Sequence, residues 1–255
     1  MKDLILFLVG ILVGGMNSIA GGGMLIGFPV LLAAGLSPLA ANITGNIVIL
    51  PGQLSSAFGY RKYLRTLPRS YLLLAIPCAV GAAIGAVILR HTPSSSFQHL
   101  VPTLILLAIL LFSFQPFLHA HIHRHLHGPV NHRQRLQPLL IIGVAMFPLA
   151  IYGGYFGAGF GFVMLALLGF TKLQDINQMN GLKNLMAVLI ASVSIICLYS
   201  SGRIDWQHGL VMGAGNFIGG YVGSTSVQKV SSHSIRIIVI LIGVGTVIYL
   251  GLRSY

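Results

Sequence analysis

Lys183 stands among amides: Asn177, Asn180, Lys183 and Asn184 recur at spacings of three and four, which puts them on one helical face. A second such face carries Asn42, Asn46 and Gln53, four and seven residues apart, with Thr44 between them. Both faces fall in stretches otherwise apolar enough to sit in hydrocarbon. Amides there are costly unless bonded, and an ionisable residue there is by default a functional site. The chemistry on offer is hydrogen-bond donation and one positive charge. The acids are Asp3, Asp175 and Asp205, all near segment ends, and glutamate is absent. A cation pathway would want carboxylates inside the helices, so the balance points to an anion. Two plainer readings stand beside it: amides that only bind helices to one another, and a lysine that snorkels to the interface.

The elements that must hold these faces are membrane helices. Of 255 residues, 55% are hydrophobic and 7% charged, against about a quarter charged in a soluble domain. Charge-free runs cover 4–59, 70–89, 100–123, 138–171, 184–202 and 209–228, and roughly 20 apolar residues suffice for one helical crossing. The fold class is therefore an all-α polytopic membrane protein. Barrel strands would alternate in polarity. The apolar residues 4–13 continue far past position 30, so the first segment is expected to stay in the membrane rather than be cleaved as a signal peptide. The net charge of +12 sits in short loops, with Arg61, Lys62, Arg65 and Arg69 in one and Arg124, Arg133 and Arg135 in another. That pattern places both loops in the cytoplasm and gives no support to nucleic-acid binding. No GxxxxGK[ST] phosphate loop occurs, and no cofactor is expected. Cys78 and Cys197 read as small core residues.

The first apolar segment is interrupted by "NSIAGGGMLIGFP" (17–29). Each glycine costs a helix about 1 kcal/mol relative to alanine, and Pro29 removes a donor. Sliding the chain against itself by 138 residues puts Gly15 on Gly153, Ala20–Gly21 on Ala158–Gly159 and Gly23 on Gly161. In the same register Asn42 falls on Asn180, Asn46 on Asn184, Arg65 on Arg203, and Gly81 and Gly85 on Gly219 and Gly223. The chain thus reads as a duplication: an N-terminal transmembrane repeat over 1–118, a His-rich cytoplasmic linker over 119–137, and a C-terminal repeat over 138–255. Each repeat opens with a glycine-broken segment (4–34; 138–170), followed by helices near 40–60, 70–90 and 97–118, and near 178–200, 207–228 and 234–252.

An unbroken helix of 31 residues would be about 46 Å long, too long for an upright crossing. If each broken segment is instead a re-entrant pair of short helices, each repeat crosses three times and the repeats are inverted; otherwise each crosses four times and they are parallel. Counting loop cations does not separate the two. The inverted form is favoured because such repeats with discontinuous helices recur in secondary transporters. Backbone freed from a helix at membrane depth must be buried by protein or line a cavity, and the starts of short helices favour anions. The alternative is that the glycines only let helices pack closely, which suffices for Gly81, Gly85, Gly219 and Gly223. The candidate substrate-binding residues are Asn17, Ser18, Gly21, Gly22, Gly23, Asn42, Asn46, Gln53, Gly159, Gly161, Asn180, Lys183 and Asn184.

"GGMNSIAGGGMLIGFPVLLAAGLSPLAANITGN" (14–46), echoed by "GGYFGAGFGFVMLALLGF" (153–170) and "NQMNGLKN" (177–184), resembles the sulfite exporter TauE/SafE family, also called the toluene sulfonate uptake permeases. Length, duplication and the central hydrophilic loop agree. The resemblance implies an inner-membrane secondary transporter of small sulfur-containing anions such as sulfite, sulfonates or sulfoacetate. The second motif departs from the first, with Phe160, Phe162 and Leu167 standing where the first has Gly22, Met24 and Pro29.

"HAHIHRHLH" (119–127) sets histidine at alternate positions. On an extended segment five imidazoles would line one side and suit Ni(II), Cu(II) or Zn(II), whereas a helix would scatter them. The rival function is accordingly a transition-metal (Ni, Co or Zn) transporter using this loop; against it, His208 and His233 lie at helix ends and no ligand occupies a helix interior. No nucleophile–base constellation lies together at membrane depth, so the chain is not expected to be an enzyme. Expected partners are the lipid bilayer, the anion and, as an open option, a second copy of the chain as a homodimer.

Overall fold

In the computed structural model, residues 2–19, 21–125, 136–171, 173, 175–226 and 245 are described, with side chains for all of these except 111–125 and 136–138. Among them every regular element is a helix. The helices are α1 (Lys2–Ile19), α2 (Met24–Ala33), α3 (Pro38–Gly59), α4 (Arg61–Arg65), α5 (Ala75–His91), α6 (Ser94–His125), α7 (Leu136–Tyr155), α8 (Phe160–Gly169), α9 (Ile176–Leu198) and α10 (Trp206–Ser226). Two 3-10 turns precede α5 and follow α9. The expected breaks fall at 21–23 and 156–159, so each broken segment is a long helix followed by a ten-residue one.

Local chemistry explains the starts. Ser37 caps α3 by accepting from the Ala40 N–H, with Pro38 at the first helical position. Asp175 caps α9 through the Asn177 N–H at 2.8 Å. Asp205 accepts from the His208 N–H at the start of α10. Two of the chain's three acids therefore hold helix ends. At the breaks the backbone enters the left-handed region, with φ of +95° and +82° at Gly21 and Gly22 and of +72° and +78° at Gly157 and Gly159. A side chain there would be strained.

The exterior is apolar. Leu4, Leu8 and Leu12 on α1, and Ile76, Val80, Ile84 and Val87 on α5, are exposed, while Asn17, Asn42, Gln53, Asn180, Lys183, Asn184 and Asn216 are buried. That inverts the soluble pattern, as a chain dissolved in lipid requires. Lys2–Ile19, Arg69–His91 and Ile176–Ser201 are long and apolar enough to cross a membrane.

Glycines fix the helix pairs. Gly10 and Gly14 of α1 lie against Met212 and Asn216 of α10, and Gly215 and Gly219 lie against Phe7 and Ile11, so α1 and α10 run parallel. α10 also runs parallel to α3, with Ser55 and Ser56 hydroxyls donating to the Phe217 and Gly220 carbonyls at 2.7 and 3.1 Å. In the same manner Gly81 and Gly85 of α5 lie on Phe147 and Ile151 of α7. Each half of the chain thus packs its long first helix on a helix of the other half.

Because α1 and α3 both run parallel to α10, α2 must carry the chain back between them. At the opposite end, α7 starts beside Leu74 and Pro77, and α9 starts beside Leu64 and Thr66, so α8 returns in the same way. The two hairpins enter the bundle from opposite ends. The Arg61–Arg69 segment and the Arg124 end of α6 share one of those ends.

One expectation meets a difference. α6 runs on through His125 where a helix ending near 118 is expected, so 119–125 are helical and alternate positions there do not share a side. Positions 126–127 and the helix expected at 234–252 lie outside the described residues. One consequence is testable. A Cβ at Gly85 would meet the Ile151 carbonyl and the Tyr155 amide, so Gly85→Val is expected to destabilise the α5–α7 pair by about 1–3 kcal/mol. A lowered melting temperature in detergent checks this; an unchanged one contradicts it.

Candidate functional site

The two breaks meet. Gly21 lies against the backbone of Gly161, and Gly22 against the ring of Phe162. Between them and the inner faces of α3 and α9 lies a narrow cleft in two adjacent lobes. One lobe is lined by Asn17, Gly21, Gly22, Gln53, Gly159, Gly161 and Lys183, the other by Asn42, Gly45, Asn46, Gly153, Phe156, Ile190 and Ala191. Met24, Ile49, Gly157, Phe160 and Ala187 line both. Each lobe has room for one or two waters. A sulfur oxyanion fits only if the walls separate. In the 138-residue register Gly21 pairs with Gly159, Ile49 with Ala187 and Gly45 with Lys183, so the cleft is lined by matched positions of the two halves.

The polar groups serve the helix ends created by the breaks. The last carbonyls of a helix have no intrahelical partner. At the end of α1, Lys183 Nζ donates to the Asn17 and Ser18 carbonyls at 3.0 and 3.3 Å and to Asn180 Oδ1 at 2.9 Å. Asn184 Nδ2 adds a bond to the Ser18 carbonyl at 3.1 Å. At the end of α7, Asn42 Nδ2 donates to the Tyr155 carbonyl at 2.8 Å. Asn17 Oδ1 accepts from the Gly23 N–H at 2.7 Å and so ties the start of α2 to the end of α1. Asn46 bonds back to the Asn42 and Ile43 carbonyls of its own helix.

The thirteen sequence-selected residues thus gather at one place. Nine line the cleft; Ser18, Gly23, Asn180 and Asn184 stand one hydrogen bond or one residue behind it. Three features remain available to a guest. Lys183 is 1% exposed and brings the charge. Gln53 Oε1 is buried without a partner among the described residues. The amides of Gly22, Gly159 and Gly161, all in the lining, likewise have none there. Among the described residues no group of three or more His, Cys, Asp or Glu is placed to hold a metal.

Sequence reasoning missed the apolar lining, although the matched positions Ile49 and Ala187 were available as a signal. It also missed Asn216, buried against Gly52 with neither amide atom partnered among the described residues. Thr44 was noticed for the amide face, yet its hydroxyl accepts from the Asp205 N–H at 3.0 Å, joining α3 to the α9–α10 turn. Burial works against charge on the Asp205 carboxyl, but the His208 N–H and ring and the Gln207 N–H outweigh it and hold the group below its ordinary range. This acid is a cap at the bundle's edge.

Residues 6–250 match the profile of the sulfite exporter TauE/SafE family. A probable membrane transporter protein of Haemophilus influenzae is 32% identical over 245 residues, covering 93% of this chain and 89% of that protein. The probable membrane transporter protein YfcA of Escherichia coli K12 is 28% identical, over 93% of this chain and 85% of its own. A probable membrane transporter protein of Sinorhizobium, ORF9, is 26% identical over 96% and 90%. No solved structure matches.

The contact between the breaks yields a prediction. Gly21→Ala forces a strained φ and drives a methyl to 2.9 Å from Gly161 Cα, so it is expected to cost about 1–3 kcal/mol. Gly35 also has positive φ but open space, so Gly35→Ala controls for strain alone. Thermal melts should show a clearly larger loss for Gly21→Ala; equal losses would contradict the close approach.

Proposed function

The chain belongs to the sulfite exporter TauE/SafE family, and on that premise we propose that it is a secondary transporter of small sulfur-containing anions. Membrane transport, without enzymatic chemistry, is the common ground with its relatives; the substrate class and mechanism are this proposal. Sulfite, sulfonates and sulfoacetate share a compact, oxygen-rich, negatively charged head. A cleft holding one ammonium and unpartnered main-chain amides suits such a head. The observation that carries the reading is Lys183, buried at the cleft with no carboxylate among its hydrogen-bond partners.

Transport proceeds by alternating access. The stretches 1–118 and 138–255 act as inverted repeats joined by the linker 119–137, whose first residues continue α6, in the inner membrane with the basic segments on the cytoplasmic side. Opposite ends of the cleft carry different latches. The Lys183 and Asn184 bonds to α1 close one break, and the Asn42 bond to α7 closes the other. Releasing one latch while the other holds opens the cleft to one side at a time. Energy comes from an ion gradient.

Reconstituted vesicles test the proposal. Uptake of sulfite and methanesulfonate is expected, with nickel and zinc unmoved. Asn42→Ala, which leaves the Tyr155 carbonyl without its donor, is expected to cut anion flux at least tenfold. Replacing the five histidines of 119–127 by alanine preserves helix propensity and is expected to leave anion flux within about twofold. Flux of nickel or zinc that vanishes with the histidines, and no flux of sulfur anions, would transfer the assignment to metal transport.

A further inference from the structure

We propose that Lys183 also carries the coupling proton, so that each anion crosses with one proton bound to this side chain; the inference rests on the anion-carrier reading above. The ammonium is 1% exposed and meets only neutral oxygens: two carbonyls at the end of α1 and the Asn180 amide. The helix end offers at most about half a negative charge. No full counter-charge is on hand.

The elements packed against α9 supply none. α1 carries Lys2 and Asp3 at its exposed far end, and α8 has no titratable residue. α3 and its cap bring Tyr60, α5 brings Cys78, Arg90 and His91, and α7 brings Tyr152 and Tyr155. α4 adds Arg61, Lys62, Tyr63 and Arg65. The phenols and the thiol are neutral at ordinary pH, and apart from the distant Asp3 the rest are cationic or become so. On α9 itself, Asp175 caps the first turn with its carboxylate on the Asn177 N–H, and Cys197 lies near the far end.

A buried charge without a partner is penalised heavily in a low-dielectric interior. Two forms of the cleft escape that penalty: ammonium with a bound monovalent anion, and empty cleft with a neutral amine, which has two N–H groups and gives up one of the three bonds. The empty protonated form does not escape it. A carrier that moves only in its two neutral forms must bind a proton and an anion together on one side. On the other side it releases the anion, then passes the proton from Nζ to water. The register sets the ratio. Gly45 occupies the matched position of the other half, so the cleft holds one ammonium and couples one proton to one anion.

The test uses proteoliposomes with a pH dye inside. Methanesulfonate is the probe because it has no proton of its own to give. Wild-type protein is expected to acidify the lumen by one proton per anion, with a flux unchanged when a potassium–valinomycin potential is imposed. Lys183→Arg keeps a permanent charge; its net uptake is expected to fall at least tenfold while anion-for-anion exchange stays measurable. Lys183→Met is expected to lose both. Uptake of methanesulfonate that moves charge and no proton would overturn the inference and leave the carrier reading standing; so would proton-linked net uptake by Lys183→Arg. If neither methanesulfonate nor sulfite moves, both fall. The wild-type stoichiometry decides the matter even if a variant does not fold.

Discussion

A helix that ends inside a membrane leaves carbonyl oxygens where no water can reach them, and each must find a donor within the protein. Among the described residues two helices end that way, at Ile19 and at Tyr155. The donors come from α9 for the first and α3 for the second. Lys183, Asn184 and Asn42 are therefore tied to the breaks, and the breaks to these residues. Neither set is stable without the other. The single lysine in this exchange makes the first break electrically unlike the second, where an asparagine does the corresponding work.

The remaining packing protects this junction. Glycine contacts bring α1 onto α10 and α7 onto α5 at backbone distance, which is how helices associate where hydrophobicity offers no drive. Because each long helix rests on the opposite half of the chain, a relative motion of the halves acts directly on the breaks. The apolar exterior carries no comparable specificity: its exposed leucines, isoleucines and valines meet lipid tails much like themselves.

Much of this was legible in the residues. Three glycines in a row beside Asn17 mark a broken helix whatever the fold. The 138-residue register pairs that break with the one before Phe160 and pairs Asn42 with Asn180. Burial of these amides follows from their cost in hydrocarbon. Their partners were not legible. Lys183 bonds to carbonyls 165 and 166 residues away in sequence, and main-chain oxygens leave no mark on composition. Ala187 and Ile49 look like ordinary lipid-facing residues until the cleft is seen between them. Asn216, matched by Cys78 in the repeat register, had no polar neighbour in sequence to draw notice. The histidine run left its local form open, since alternation lines up imidazoles only on an extended segment; the apolar helix before it continues through His125.

If the cleft between the breaks is the path of the anion, a thiol placed in its wall must sense the passing substrate. Ala187, small, buried and in both lobes, is replaced by cysteine in a background where Cys78 and Cys197 are serine. A small anionic thiol reagent should label this position during turnover, excess methanesulfonate should slow the labelling, and labelled protein should no longer transport. Full flux through protein completely labelled at position 187 would place the path elsewhere and contradict the account.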